Sequence, residues 1–187
     1  MPSETRPSSR RAALAGTALA MALTASPGQA QPVDARPLVA EESALKAAFL
    51  YNFVLLTRWP AAAGAELTIC VLGRENLGPA LEALEQKSPG GRRVKTLRLA
   101  DASASPSHCE LLYLGSTRSA GARELLARVE PLPVLTVADD DTPADPSPTI
   151  VLERSGSRMA FDIRVSQARA RGLELDPKLL RLARQVK

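Results

Sequence analysis

The acidic run Ala138–Asp145 (ADDDTPAD) holds the residues best suited to metal or acid–base chemistry, with three consecutive carboxylates at the end of an apolar stretch. A hard cation such as Mg²⁺ binds one or two carboxylates in proteins, and Asp139 and Asp140 are the candidates here. Consecutive residues seldom converge on one ion without ligands from elsewhere, and runs of charge are usually solvated. We therefore interpret the run as a solvated loop, and keep ligand binding at Asp139 and Asp140 as the alternative.

Other stretches with catalytic residue types are incomplete. Gly73–Gly78 (GRENLG) joins a predicted strand to a predicted helix, but it has neither Walker nor GxGxxG spacing and indicates a turn. His108 and Cys109 pair a base with a thiol, yet neighbours in a strand point to opposite faces. No HExxH motif and no nucleophile elbow occur. The sequence therefore predicts a protein that is not an enzyme and that holds neither a cofactor nor a metal.

The first 30 residues have the pattern of an export signal. Arginines precede the short apolar run Ala12–Leu23, and Gly28–Ala30 is a small-x-small cleavage site. The pair Arg10 and Arg11 leaves twin-arginine export open beside ordinary secretion. We predict a signal peptide over residues 1–30, cleaved after about Ala30.

Removing 30 of the 187 residues leaves 157, enough for one domain with a hydrophobic core. The cleavage removes three arginines and one glutamate, so the formal net charge falls from +4 to +2. No stripe of Lys and Arg with interleaved aromatics is present, and we predict no nucleic-acid partner. The mature chain is expected to be soluble outside the cytoplasm.

Cys70 and Cys109 are the only cysteines, and an exported chain meets an oxidising compartment, so we expect a disulfide. Two cysteines and the single histidine, His108, fall short of a closed zinc site. Cys70 lies late in its predicted strand, whereas Cys109 lies at the start of another. A structural bridge and a strained, redox-sensitive bridge therefore both stay open.

Uninterrupted apolar runs, typical of strands buried on both faces, alternate with predicted helices along the chain. This alternation predicts parallel strands joined by right-handed crossovers. We predict a flexible lead-in over 31–40 and one α/β domain over 41–187, a mainly parallel, doubly wound (Rossmann-like) sheet with helices on both faces. The alternating strand 158–165 predicts an antiparallel edge hairpin, and the loops after Gly73, Gly115 and Asp139 would carry any active site. The predicted strands are 67–73, 92–100, 109–115, 132–139, 149–153 and 158–165. The predicted helices are 41–60, 76–84, 119–129, 166–171 and 176–186, and the first of them starts on the acidic and polar residues 41–43.

The stretch Ala44–Pro60 (ALKAAFLYNFVLLTRWP) holds four of the six aromatic residues. As a helix it is apolar on two sides, so that one side docks on the sheet and the other needs a separate cover. The carboxyl-terminal helices, a second copy and a partner protein are the alternatives for that cover. Phe49 and Phe53 are expected in the core, whereas Trp59, next to Arg58, is assigned to neither core nor interface. The two stripes are Leu45, Phe49, Phe53 and Leu56, and Ala44, Ala48, Tyr51 and Leu55, with Lys46, Asn52 and Thr57 on the polar side.

These motifs together resemble the YfiR family of small periplasmic regulators. The resemblance is carried by ALKAAFLYNFVLLTRWP (44–60), CVLG (70–73), CELLYLG (109–115), PVLTVAD (133–139) and FDIRVSQARARGLELDPKLLRLA (161–183). It implies a non-catalytic protein that binds and represses the periplasmic sensor region of an inner-membrane diguanylate cyclase, which lowers the cyclic-di-GMP signalling that governs biofilms. A peptidoglycan-associated outer-membrane lipoprotein is a further partner in the systems the family is named for.

The resemblance also bears on single residues and on assembly. The family and the excess apolar surface of the helix together favour a homodimer. Large aromatic side chains with a polar end suit a partly wet interface, so Tyr51 and Trp59, with Arg58 beside them, are the candidate partner-binding residues. Cys70 and Cys109 match one cysteine pair of the family, and a second pair is absent here. Arg58 stands where the usual motif has an acidic residue. The alternative function is a periplasmic small-molecule-binding protein or a metal-assisted hydrolase that uses the loop at Asp139.

Overall fold

A computed structural model describes residues 36–60, 64–73, 77–115, 119–139, 148–155 and 158–187. The predicted signal peptide and Asp140 lie outside these residues. The elements, in chain order, are α1 (Arg36–Leu55), β1 (Thr57–Arg58), β2 (Glu66–Leu72), α2 (Gly78–Leu84), β3 (Arg93–Leu99), β4 (Leu111–Leu114), α3 (Ser119–Val129), β5 (Leu135–Asp139), β6 (Ile150–Ser155), β7 (Arg158–Ile163), α4 (Val165–Ala170), β8 (Glu174–Leu175), α5 (Pro177–Leu182) and β9 (Gln185–Val186).

The main sheet of the described residues has the strand order β3-β2-β4-β5-β6-β7-β9. The pairs from β3 through to β6 are parallel, β6 and β7 are antiparallel, and β7 and β9 are parallel. The five strands β2 to β6 therefore have a doubly wound order, in which β2 lies between β3 and β4. The predicted fold class is confirmed.

Helices cover both faces of this sheet because its central strands are apolar on both sides. In β4, Leu111 and Tyr113 pack into a core cluster with residues of α1, α2, α4 and α5. Leu112 and Leu114 alternate to the other face, where they pack against α3. The uninterrupted apolar runs in the sequence thus correspond to strands that are buried on both faces.

The first helix differs from its prediction at both ends. It begins at Arg36, inside the predicted flexible lead-in, and ends at Leu55 rather than Pro60. The Thr57 hydroxyl donates to the Phe53 carbonyl (2.7 Å). The next residues leave the helix because Thr57 and Arg58 pair with β8 as a two-stranded sheet, and because the residue before a proline avoids helical backbone.

The carboxyl terminus also departs from the prediction. The last helix ends at Leu182, and β9 adds to β7, so the β6–β7 hairpin is not the edge of the sheet. The predicted apolar stripe fails because Leu182 and Val186 are exposed. The Arg184 guanidinium holds this segment on β7 through two 2.9 Å hydrogen bonds to the Asp162 carboxylate.

The predicted helix boundaries in this region are confirmed at two positions. Gly172 has a positive φ of 70°, which ends α4 at low cost because glycine has no Cβ. The Asp176 side chain accepts a 2.7 Å hydrogen bond from the Lys178 amide and so caps α5, with Pro177 in the first turn.

The predicted disulfide between Cys70 and Cys109 is confirmed. Cys70 lies in β2, and Cys109 lies just before β4, so the predicted offset in height is present. The two Cα atoms are 5.7 Å apart, within the usual range for a bridge. Both residues are buried in the cluster beneath α3.

We expect the double substitution Cys70→Ala with Cys109→Ala to lower the free energy of unfolding by about 4 kcal/mol. The bridge joins residues that are 39 positions apart, and without it the unfolded chain gains conformational entropy. Urea unfolding of the oxidised wild type and of the variant measures this difference. The control is reductant, which should destabilise the wild type and leave the variant unchanged. A variant as stable as the oxidised wild type would contradict the prediction.

Candidate functional site

A buried ion pair joins α1 to the carboxyl end of β5. The Lys46 ammonium lies 2.9 Å from Oδ2 of Asp139, and the Tyr113 hydroxyl donates to Oδ1 (2.8 Å). Lys46 also contacts Glu42 (3.0 Å), whose other oxygen accepts from Arg154 (2.6 Å). The prediction that Lys46 lies on a polar side of the helix is wrong, because Lys46 is only 7% exposed.

Burial opposes the charge on Lys46, but the hydrogen bonds and negative charges of Asp139 and Glu42 outweigh burial, so the pKa of Lys46 is raised. While the Asp139 and Glu42 carboxylates are ionised, a raised pKa of Lys46 means that the ion pair stabilises the fold up to the ordinary lysine value of about 10.4. On the alkaline side, that contribution is lost as the pH rises through the higher, folded-state pKa of Lys46. The Lys46 ammonium therefore stays charged at neutral pH.

We expect Lys46→Met to lower the free energy of unfolding by about 3 kcal/mol, because it leaves the buried Asp139 carboxylate without its ammonium partner. Lys95→Met, at an exposed position of β3, is the matched control and should change stability by less than about 0.5 kcal/mol. Chemical unfolding at neutral pH measures both. Equal stability of the two variants would contradict the assigned role of the pair.

The same contacts bear on the alternative ligand role of Asp139. Both of its carboxylate oxygens already accept hydrogen bonds from the chain. Among the described residues, no group of three His, Cys, Asp or Glu side chains could hold a metal ion. Cys109 is in the disulfide, so it offers no thiolate to His108.

We therefore expect that Mg²⁺, Ca²⁺ and Zn²⁺ leave the melting temperature unchanged. A ligand that binds only the native state raises this temperature, so a thermal-shift series with EDTA as the control measures the effect. A rise that Asp139→Asn abolishes would restore the alternative.

Apolar side chains remain exposed on the side of α1 that faces away from the sheet. We call Ala44, Leu45, Ala48, Asn52 and Leu55 the α1 outer face; they recur at helical spacing, and all are exposed. Leu45 is 41% and Leu55 49% exposed. The Asn52 amide donates to the Ala48 carbonyl (2.9 Å), so its polar group is partly turned back onto the helix.

The predicted stripes of this helix are partly confirmed. Phe53 is fully buried and Phe49 is half-buried, and their rings lie 5.0 and 5.6 Å from the ring of Phe161. Tyr51 is half-buried against the same core cluster. Ala44, Ala48 and Leu55 are exposed, so the carboxyl-terminal helices are the wrong alternative for the cover at these positions.

Trp59 is half-buried against the core, at the amino end of the parallel strands. Its indole N–H donates to the Glu110 carbonyl (3.3 Å). The Glu110 carboxylate in turn accepts from the Arg92 guanidinium (2.7 Å) and from the Thr68 amide (2.8 Å). The indole is therefore held by Glu110, whose side chain is itself bonded to residues at the amino ends of β2 and β3.

One wall of a cavity of about 380 Å³ is formed by Trp59. We call it the Trp59 cavity, and its lining includes Val54, Leu55, Arg58, Leu67 and Arg92. Leu55 belongs to both this cavity and the α1 outer face, so the two surfaces are continuous.

The structure brings two of the three predicted partner-binding residues together. Arg58 and Trp59 line the Trp59 cavity, whereas Tyr51 lies on α1 and is not part of the cavity lining. Sequence reasoning missed Leu55 and Arg92 as site residues; the exposed apolar stripe was a signal for Leu55, but nothing local indicates Arg92. The loops predicted to carry an active site, 74–76, 116–118 and 140–147, lie outside the described residues.

The fold and these surfaces define a disulfide-bonded, doubly wound α/β domain whose prominent described features are an exposed apolar helix face and an adjoining cavity. The sequence model of the YfiR/HmsC-like family matches residues 43–184, so the chain belongs to that family. The resemblance seen in the sequence is confirmed. Membership associates the chain with periplasmic regulation of diguanylate cyclases, and the disulfide fits an oxidising compartment.

Within the described residues, no helix is both long and apolar enough to cross a membrane.

Proposed function

We propose that the protein is a non-catalytic periplasmic regulator that binds the periplasmic sensor region of an inner-membrane diguanylate cyclase and represses it, lowering cyclic-di-GMP. The family supports the regulatory role. The observation that carries the binding role is the α1 outer face, where Leu45 and Leu55 expose apolar surface beside Trp59. Contiguous apolar surface of this kind is typical of protein interfaces.

The composition of the surface fits an interface with a protein. Interfaces concentrate their binding energy in a few Trp, Tyr and Arg residues, and Arg58 and Trp59 lie at the end of α1 with Tyr51 one turn before Leu55. Trp59 joins an apolar ring, suited to desolvation, to a polar N–H that already has an acceptor in Glu110. The partner therefore covers the ring without leaving a polar group unpaired.

The surface is also held rigidly before the partner arrives. The Lys46–Asp139 pair holds one part of α1, and the Thr57 and Arg58 backbone pairs with β8 beyond its end. A surface that is ordered in advance loses little conformational entropy on binding, so more of the contact energy appears as affinity. Repression then consists of holding the sensor region in the state that fits this surface.

An outer-membrane lipoprotein that covers the same surface would relieve repression by competition. A homodimer is part of the proposal as well, because the α1 outer face of one copy is chemically suited to a second copy. Both assignments rest on the family and on the exposed apolar face.

Crosslinking in the native host, followed by identification of the captured proteins, tests the partner. We expect capture of a membrane protein with a periplasmic sensor region and a cytoplasmic cyclase domain. Capture of the regulator alone, with a working control for the crosslinker, would contradict the proposed function.

We expect Leu55→Asp to raise cellular cyclic-di-GMP to the level of a strain without the regulator, because it places a charge in the centre of the proposed interface. The matched control is Leu97→Asp, a similarly exposed leucine (40%) on β3, which should still repress. Both variants should keep the wild-type melting temperature. Repression by Leu55→Asp equal to that by Leu97→Asp would show that the α1 outer face is not the binding surface.

A further inference from the structure

The Trp59 cavity is apolar at its floor and cationic at its rim. Val54, Leu67 and Pro89 are buried residues of its lining, and Arg58 and Arg92 are its charged residues. None of the described lining residues carries a carboxylate. The cavity therefore offers an occupant apolar contact and positive charge together.

The two arginines differ in how their charge is compensated. Arg92 forms an ion pair with Glu110 (2.7 Å), and its Nε donates to the Gly64 carbonyl (2.9 Å). Arg58 is exposed, and its side chain forms no hydrogen bond or ion pair with the described part of the chain. Glu174 lies opposite Arg58 in the β1–β8 pairing but makes no ion pair with it. Among the described residues, the positive charge of Arg58 is thus uncompensated.

We propose that this cavity recognises a protein segment in which a carboxylate side chain adjoins a large apolar side chain. The apolar side chain enters the cavity against the Trp59 ring, and the carboxylate pairs with the Arg58 guanidinium. A guanidinium binds a carboxylate through two parallel hydrogen bonds, which gives direction as well as energy. The identity of the protein that carries the segment rests on the proposed function, but the chemistry of the segment does not.

The position of the cavity favours the side chain of a protein segment as its occupant. Its volume is about 380 Å³. Its rim is continuous with the α1 outer face through Leu55, so a segment that crosses this face brings a side chain to the opening. Charge complementarity with Arg58 then selects an acidic segment over a neutral or basic one.

Two synthetic peptides test the proposal without any cyclase. The probes are acetyl-Ser-Asp-Leu-Phe-Asp-Ser-amide and the same peptide with both Asp residues replaced by Asn. Trp59 is the only tryptophan of the chain and lines this cavity, so a change in its fluorescence reports a peptide bound beside its ring. We expect half of the maximal fluorescence change at a concentration of the acidic peptide about tenfold lower than that of the amide peptide. A tenfold difference in affinity corresponds to about 1.4 kcal/mol of binding free energy.

Substitution of Arg58 separates charge recognition from a structural role. Arg58→Gln should remove the preference for the acidic peptide and its dependence on salt, while Arg58→Lys should retain part of both. Arg158→Gln removes the same charge from an exposed position at the start of β7 and should bind like the wild type. All three variants should keep the wild-type melting temperature, because both arginines are exposed.

The outcomes distinguish this inference from the proposed function. Equal responses to the two peptides, no response to either, or an unchanged preference in Arg58→Gln would overturn the inference while leaving repression of a cyclase intact. Failure to capture a cyclase in cells, with the peptide preference present, would overturn the proposed function alone. A homodimer that Arg58→Gln dissociates, with equal responses to the two peptides, would assign the cavity to a second copy and overturn the inference.

Discussion

The orientation of α1 depends on the buried ion pair between Lys46 and Asp139. A buried ammonium is costly unless it is paired and hydrogen-bonded. The Lys46 ammonium forms ion pairs with the carboxylates of both Asp139 and Glu42. Rotation of the helix by a third of a turn would remove Lys46 from Asp139, which lies 93 residues away, and would expose Leu50 and Phe53 to water. The pair therefore determines which side of α1 is buried and, as a consequence, which apolar residues remain outside.

The other end of the helix is fixed by a different set of contacts. Backbone pairing of Thr57 and Arg58 with β8 takes the chain out of the helix, and the Trp59 indole then bonds to Glu110 at the amino end of β4. Glu110 follows Cys109, whose disulfide to Cys70 ties this point of the chain to β2. The cavity beside Trp59 is thus formed by three separate parts of the chain, each anchored in the core.

Sequence reasoning recovered the features whose signal is local. Apolar runs such as Leu67–Gly73 predicted the buried strands, and Asp176 and Gly172 predicted helix ends, because capping depends on one or two residues. The two-residue strands β1 and β9 have too few residues for any periodicity, so their segments were assigned to helices. Lys46 was assigned to a polar side because its partner is distant in sequence. The cavity was missed for the same reason: Leu55, Arg58 and Arg92 meet only after the chain has folded.

The position of the cavity has a consequence for how a doubly wound domain acts as a regulator. Ligands of such sheets usually bind beyond the carboxyl ends of the strands, and there the Asp139 carboxylate is engaged in holding α1. Among the described residues, a surface with unpaired positive charge and exposed apolar side chains lies instead at the amino end, around Arg58 and Leu55. Pairing of β1 with β8 and the bond from Trp59 to Glu110 hold this surface in place. Under the proposed function, such an apolar and cationic surface would discriminate among protein partners by charge and shape, and binding alone would hold one of them in a single conformational state.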